Sequence, residues 1–137
     1  MFRRLRRALS VAALAATAAA GCETTTSPPP EEQPDPTTFS LSGTITLNGA
    51  TTHHFPTGAG EIDVRLKVLA PADNVVIGMA LGIWTGTTCD LRIADDNAVF
   101  NALLIGSATA AGEFCVRMYD VGKLSDVSDY TIDITHF

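Results

Sequence analysis

The chain has 137 residues, which is enough for one domain and too few for two of ordinary size. It carries nine basic and fifteen acidic residues, and four of the basic ones lie within the first seven positions. Without residues 1–21 the chain has five basic and fifteen acidic residues, a formal net charge of −10. This balance excludes nucleic acid as a partner, because phosphate binding needs clusters of lysine and arginine, and it excludes a basic membrane-surface patch for the same reason.

Residues 1–21 have the organisation of a secretory signal peptide. A basic segment over residues 1–7 precedes a run rich in alanine, leucine and valine over residues 8–20. That run is too short for a spanning helix, which needs about 20 strongly apolar residues. We therefore expect residues 1–21 to direct export.

The run ends in Ala19-Ala20-Gly21-Cys22. This segment resembles the lipobox of bacterial lipoproteins, in which small residues precede a cysteine that is lipidated and becomes the mature N-terminus. Ala19 stands where leucine is usual. The resemblance implies a lipid anchor at Cys22 and, because Glu23 rather than aspartate follows, the outer membrane of a two-membrane bacterium. Ordinary cleavage near Ala20, with Cys22 left as a free thiol, is the alternative.

Residues 22–38 are predicted to be a disordered linker that begins with this cysteine. Residues 23–38 contain five of the seven prolines and no apolar residue. Such a composition cannot bury enough apolar surface to offset the entropy lost on ordering. Proline favours an extended conformation, so the segment predicts a spacer of up to roughly 50 Å. A proline-rich recognition ligand is the alternative.

Residues 39–137 alternate between apolar and polar residues, as in the segment from Glu61 to Val68. This period of two is typical of strands with one face on a core and the other in water. Short turn segments such as Asn48-Gly49 separate these runs and favour an antiparallel β-sandwich. The predicted strands are 41–47, 51–55, 61–70, 74–84, 89–93, 102–108, 112–120 and 128–136. Within residues 94–104 we also predict one helical turn, capped by Asp95 or Asp96.

Several segments of this domain, among them residues 60–66, 112–120 and 129–134, resemble the bacterial pre-peptidase C-terminal domain. The resemblance rests on a strand of the form G-x-(Y/F)-x-(V/L)-x-V and on a closing strand of the form Y-(T/S)-(L/I)-x-(V/I). It implies an all-β, jelly-roll-like sandwich of about eight strands in an exported protein. The family usually accompanies an enzyme domain, which this chain lacks, and it has no agreed active site to transfer.

Cys89 and Cys115 are the two cysteines that remain after Cys22. In an exported chain they predict a disulfide that closes a loop of about 26 residues. The alternative, a metal or nucleophilic thiol, needs a histidine base and an orienting group. The only histidines are His53, His54 and His136, and neighbouring strand residues such as His53 and His54 point to opposite faces.

Two further groups are candidate sites. Asp95, Asp96 and Asn97 offer oxygen ligands that suit calcium, although turn chemistry explains them equally well. Trp84, the only tryptophan, is a candidate platform for stacking a sugar, although packing at the rim of the core explains it too. No motif indicates another metal site or a cofactor, and we expect none.

The inventory of motifs argues against an enzyme, because G-x-S-x-G and H-E-x-x-H are both absent. We therefore expect a non-catalytic cell-envelope lipoprotein whose sandwich binds an unidentified carbohydrate or protein. The alternative is a structural or accessory lipoprotein with no dedicated ligand. A contiguous exposed apolar patch or a concave face would favour binding, and a uniformly polar, acidic surface would favour the alternative.

Overall fold

The computed structural model describes residues 27–29, 32 and 34–137. By contacts the chain divides into two units, Met1–Glu32 and Gln33–Phe137, and the fold below belongs to the second. Cys22 lies outside the described residues, so its lipidation stays a prediction. Within the described residues no helix is long and apolar enough to cross a membrane.

Eight strands form the domain, and all of them pair in antiparallel fashion. They are β1 (Thr37–Ile45), β2 (Ala50–Thr57), β3 (Gly60–Ala70), β4 (Ile77–Trp84), β5 (Cys89–Ala98), β6 (Leu103–Ala108), β7 (Gly112–Tyr119) and β8 (Ser128–His136). One sheet has the order β1-β8-β3-β6 and the other the order β2-β7-β4-β5. This is the eight-stranded jelly-roll arrangement, so the predicted fold class is confirmed.

The alternation in sequence becomes the two faces of each sheet. In β8, Tyr130, Ile132 and Ile134 are buried, while the residues between them are half-exposed. In β3, Ile62, Val64 and Leu66 are fully buried. Apolar side chains from both sheets therefore meet in one core, which hydrophobic burial stabilises.

The outer face of the β1–β8 pair is polar and hydrogen-bonded. Side chains that lie opposite each other on the two strands bond in four successive pairs: Thr38 with Thr135, Ser40 with Asp133, Ser42 with Thr131, and Thr44 with Asp129. Each such cross-strand pair contributes roughly 0.2–1 kcal/mol. This ladder fixes the register in which β1 closes its sheet.

The helical turn predicted within residues 94–104 is wrong. Residues 94–98 continue β5, which pairs with β4 through two register shifts, and the chain then turns at residues 99–101. Asp95 accepts a hydrogen bond from the backbone N–H of Asn97, which is a local bond that a strand end also accommodates. Pairing with the buried β4 outweighed the capping preference of the acidic residues.

Candidate functional site: a cleft on one side of the sandwich

The sandwich has two sides at which edge strands of both sheets come together. We call them the β1–β2 side and the β5–β6 side, after those edge strands. On the β1–β2 side, aromatic rings from the two sheets fill the space between the sheets. The ring of Phe39 on β1 lies 5.7 Å from that of Phe55 on β2 and 5.5 Å from that of His136 on β8. This side is therefore closed.

On the β5–β6 side the space between the sheets opens into a cleft of about 760 Å³. Leu81, Ile83, Ile93 and Phe114 line it from one sheet, and Gly106 lines it from the other. This volume lies within the range of small-molecule and peptide sites, which are mostly apolar with a few polar groups. The cleft is thus the concave feature that the sequence argument required for a binding module.

Small side chains on β6 explain why this side stays open. The inward positions of β6 are Leu104, Gly106 and Ala108, whereas β1 presents Phe39 and Leu41 at comparable positions. At Gly106 even a Cβ atom would lie 2.5 Å from Leu81 and 3.3 Å from Ile93. Glycine therefore lets β6 pack directly against Leu81 and Ile93, and the cleft opens beside this contact, where Ala108 faces Ile83 and Phe114 with a small side chain.

Large exposed apolar side chains are concentrated in one stretch of the chain, and three of them, Ile83, Ile93 and Ile105, line the cleft. Within the described part of the chain ten large apolar side chains are exposed, and seven of these belong to residues 83–105: Ile83, Leu91, Ile93, Val99, Phe100, Leu103 and Ile105. Ile105 is the most exposed of the ten, at 53%. Concentrated exposed apolar surface is typical of an interaction site rather than of a featureless surface.

Charged groups stand at the rim of the cleft. Glu61, Glu113 and Arg92 all line it. Arg92 is already paired, since its guanidinium lies 2.6 Å from a carboxylate oxygen of Asp90. The two glutamates therefore leave the rim with more acidic than basic side chains. Because this ion pair is exposed, it adds little to stability.

Trp84 borders the cleft, where it ends β4. Its ring stacks on that of His54, with the centroids 4.9 Å apart and the planes 9° from parallel. The His54 Nδ1 atom lies 3.6 Å from a carboxylate oxygen of Glu113. Trp84 is half-buried and packs on the exposed ring of His54. His54 covers one face of the Trp84 ring, so only the other face is left for stacking a sugar.

The two adjacent histidines point in opposite directions, as the strand geometry predicts. His54 is exposed, whereas His53 is half-buried and its Nε2 atom lies 2.7 Å from the hydroxyl of Tyr130 in the other sheet. Burial lowers the pKa of His53 and raises the pKa of Tyr130 to about 12. His53 therefore bridges the two sheets, whereas His54 faces solvent.

The predicted disulfide between Cys89 and Cys115 is present. It joins β5 to β7, the strands on either side of β4. An edge strand of the β5–β6 side is thereby tied to the interior of its sheet. Both sulfurs are in the covalent bond, so neither cysteine is available as a nucleophile or a metal ligand.

The candidate calcium residues have other partners. Asp96 accepts a hydrogen bond from the hydroxyl of Tyr119, and burial together with this bond raises the pKa of that tyrosine to about 12. Asp95 accepts one from the backbone N–H of Asn97. Among residues 27–29, 32 and 34–137 no group of three or more histidine, cysteine, aspartate or glutamate side chains is placed to hold a metal ion.

Sequence reasoning missed the residues that form the cleft. Ile93, Ile105 and Gly106 were assigned to strands and given no further role. One signal was present: Leu103-Leu104-Ile105 is apolar at successive positions, so at least one large apolar side chain had to point outward. That signal marks an unusual edge strand but does not show that a cleft lies beside it.

Comparisons with known proteins support the fold alone. No family model matches the chain, and no curated protein matches it. The chain resembles the crystal structure of a mitogen from Yersinia pseudotuberculosis, with a TM-score of 0.58 and 18% identity over 75% of this chain and 88% of the mitogen. A periplasmic inhibitor of g-type lysozyme from Aeromonas hydrophila, PliG, aligns with a TM-score of 0.49 and 13% identity over 72% of this chain and 84% of the inhibitor.

Proposed function

We propose that the protein is a non-catalytic binding module of the bacterial cell envelope, held at the membrane by a lipid on Cys22. The observation that carries this proposal is the cleft on the β5–β6 side, which has an apolar floor and two glutamates at its rim and which exposes Ile83, Ile93 and Ile105. Such a combination favours a dedicated ligand over a purely structural role. A structural lipoprotein with a uniformly polar surface would not need it.

The contacts of the reactive side chains support a role without catalysis. Cys89 and Cys115 are bonded to each other, and His53 contacts a tyrosine rather than a nucleophile. His54 lies between Trp84 and Glu113 with its stacked face covered. A nucleophile, a base and an orienting group are not brought together by these contacts.

Export is supported by the disulfide, because such bonds form and persist in oxidising compartments and are rare in the cytosol. The signal-like residues 1–21 and the lipobox-like segment before Cys22 point the same way. The outer membrane as the destination and membership of the pre-peptidase C-terminal family remain proposals that rest on the sequence resemblances.

The anchor is tested by Cys22→Ser. We expect the variant to move almost completely from the membrane fraction to the soluble fraction, since the lipid would be the main attachment. The Cys89–Cys115 bond and the melting temperature should not change. Retention of the variant in the membrane fraction would contradict the lipid anchor.

The binding role is tested with the exported Cys22→Ser chain, immobilised and exposed to an envelope extract and to a glycan array. Ile83→Glu places a charge in the cleft, and Val127→Glu places the same charge in a loop outside it, at a nearly equal exposed fraction (40% and 42%). We expect capture to be lost in the first variant and kept in the second. Equal capture by both variants would show that the cleft is not the binding site.

A further inference from the structure

We propose that the occupant of the cleft is an extended polypeptide that pairs with the free edge of β6 and places alternate apolar side chains into the cleft. This inference rests on the proposed function, since it names the class of ligand for the same site. The added strand would be the fifth strand of the β1-β8-β3-β6 sheet. Four observations support it: the lack of protection on β6, the direction of its free backbone groups, the position of the cleft, and the rim charge.

Edge strands present unpaired backbone groups, and proteins normally protect them with charges, prolines or bulges. Two of the four edges, β5 and β2, carry such devices, and on β1 one carbonyl is capped. β5 carries Asp90, Arg92, Asp95 and Asp96 and pairs with β4 through two register shifts. β2 contains Pro56. On β1 the hydroxyl of Thr51, from β2, caps the carbonyl of Thr44.

β6 has none of these devices. Its sequence, Leu103-Leu104-Ile105-Gly106-Ser107-Ala108, contains no charge and no proline, and its register against β3 is regular over all six residues. Among the described residues no strand pairs with its other edge. An uncharged, apolar, regular edge is a suitable template for an incoming strand.

The backbone groups that point to the free edge can be identified. The N–H of Leu66 on β3 donates to the carbonyl of Ala102, just before β6. Since hydrogen-bonded and non-hydrogen-bonded pairs alternate in an antiparallel ladder, Leu104, Gly106 and Ala108 also bond to β3. The N–H and carbonyl groups of Leu103, Ile105 and Ser107 therefore point outward, away from β3.

A strand added at this edge would lie over the cleft. The position of a Cβ on Gly106 falls against Leu81 of β4 and Ile93 of β5, so β6 lies above the boundary between these two strands. The next position in its sheet is about 4.8 Å further out, above β5. Inward side chains of the added strand would then meet Ile83 and Ile93, which line the cleft and are partly exposed.

Charge selects a basic polypeptide. Glu61 and Glu113 line the cleft, and residues 39–137 carry eleven acidic and five basic side chains. Asp63 on β3 lies opposite Ile105 on β6. One of its carboxylate oxygens is buried and has no hydrogen-bond partner among the described residues. Basic side chains at the outward positions of the added strand beside Ser107 and Ile105 would lie on the part of this face that carries Glu61 and Asp63, whereas Arg65 lies opposite Leu103 at the other end of β6. Pairing β6 with a second copy would instead bring two acidic β5 edges together.

The probe is an acetylated nine-residue peptide of alternating lysine and valine, added to the exported Cys22→Ser chain. Two control peptides replace every lysine with glutamate or place the same lysines and valines in two blocks. Binding is followed by the fluorescence of Trp84, the only tryptophan in the chain. Pairing is followed by amide hydrogen exchange, in which the outward N–H groups of Leu103, Ile105 and Ser107 report on an added strand.

We expect the alternating lysine peptide to protect the amides of Leu103, Ile105 and Ser107 at least tenfold. The glutamate and block peptides should bind at least tenfold more weakly. Ile105→Pro removes an outward N–H and should weaken binding about tenfold, whereas Ile105→Thr keeps it and should cost about threefold. If Ile105→Pro melts much earlier than the parent chain, Ile105→Lys replaces it, since a cation on the edge should repel the lysine peptide.

Each other outcome overturns the inference in a recognisable way. A change in Trp84 fluorescence without protection of the three amides shows that the cleft binds without strand pairing, and it leaves the proposed function standing. Absence of binding by the lysine peptide removes the peptide as the class of ligand. The three amides could also be protected from exchange before any peptide is added. If that protection rises with protein concentration, a second copy of the chain occupies the edge. If it does not depend on concentration, another segment of the same chain occupies it.

Discussion

The β1–β2 and β5–β6 sides of the sandwich are built from equivalent edge strands, but the first is closed and the second is open. Each joins an edge strand of one sheet to an edge strand of the other, yet aromatic rings close the first and a cleft of about 760 Å³ opens the second. The difference comes from a few inward residues, Phe39 and Leu41 on β1 against Gly106 and Ala108 on β6. A jelly roll can therefore acquire a binding site by changing side-chain size on one edge strand, without any change in its connections.

The sharpest test of this comparison uses two phenylalanines that lie directly opposite each other on β2 and β7. Phe55 is 3% exposed on the closed side, and Phe114 is half-buried and lines the cleft. We expect Phe55→Ala to cost about 3–5 kcal/mol in the free energy of unfolding, as for a buried aromatic residue. Phe114→Ala should cost about 1–2 kcal/mol, because less contact area is lost. Urea unfolding measures both values, and equal costs would contradict the contrast between the sides.

The disulfide is expected to support the open side most. Cys89→Ala combined with Cys115→Ala releases a loop with a sequence separation of 26 and should cost roughly 3–4 kcal/mol, or more than about 10 °C in melting temperature. Because the bond holds β5, hydrogen exchange should accelerate in β5 before it does in β2. Labelling of both thiols in the native, exported protein would show that the bond does not form.

A third prediction concerns the link between the β1–β2 turn and the loop after β7. One carboxylate oxygen of Asp120 accepts bonds from the backbone N–H groups of Gly122, Lys123 and Leu124, and the other accepts one from Asn48. We expect Asp120→Ala to cost about 1–2 kcal/mol. Asp126→Ala, which removes a single such bond, should cost less than about 0.5 kcal/mol. Thermal unfolding at neutral pH compares the two variants.

The effect of Asp120 should also depend on pH. The backbone N–H groups, with that of Asn48 contributing most, lower the pKa of this carboxylate from its ordinary value of 3.8. A lowered carboxylate pKa stabilises the native state above the unfolded value and loses this effect as the pH falls through the folded value. The stability difference between the parent chain and Asp120→Ala should therefore shrink below about pH 4. A constant difference down to pH 2 would exclude the carboxylate as its source.

The smallest expected effect comes from His53, inside the closed side. Burial lowers its pKa below the ordinary value of 6.5, so between the folded and unfolded pKa values the native state binds fewer protons than the unfolded state. Stability should fall slightly as the pH drops from 7 to 5. The melting temperature of His53→Gln should therefore change less with pH over this range than that of the parent chain. An equal pH dependence in His53→Gln and in the parent chain would contradict the assignment of this effect to His53.

Most of the fold was predictable because period-two alternation reports directly on the two faces of a strand. The last strand was placed at its observed bounds, Ser128–His136, and the disulfide followed from the export signal and the cysteine count. The errors lie where tertiary pairing overrides local preference. β1 begins at Thr37, before the predicted strand, because β8 extends to pair with it, and residues 94–98 are strand because β4 pairs with them.

The candidate site was predicted only in part. Trp84 was singled out, and it does border the cleft, but its stacking on His54 depends on β2 and β4 lying on either side of β7. Ile93 and Gly106 are 13 positions apart in the sequence and belong to different sheets. Their proximity requires the strand order of both sheets, which the alternation pattern does not contain.

The amino-acid sequence by itself determined the class of the fold, the expectation of export and the identity of the bridged cysteines, because composition, period and spacing are local properties of a chain. Tertiary structure alone decided that one side of the sandwich closes and the other opens. That outcome depends on which inward side chains face each other across the two sheets: Phe39 meets Phe55 on one side, whereas Gly106 meets Leu81 and Ile93 on the other. Side-chain volume at these facing positions, rather than any motif, creates the site.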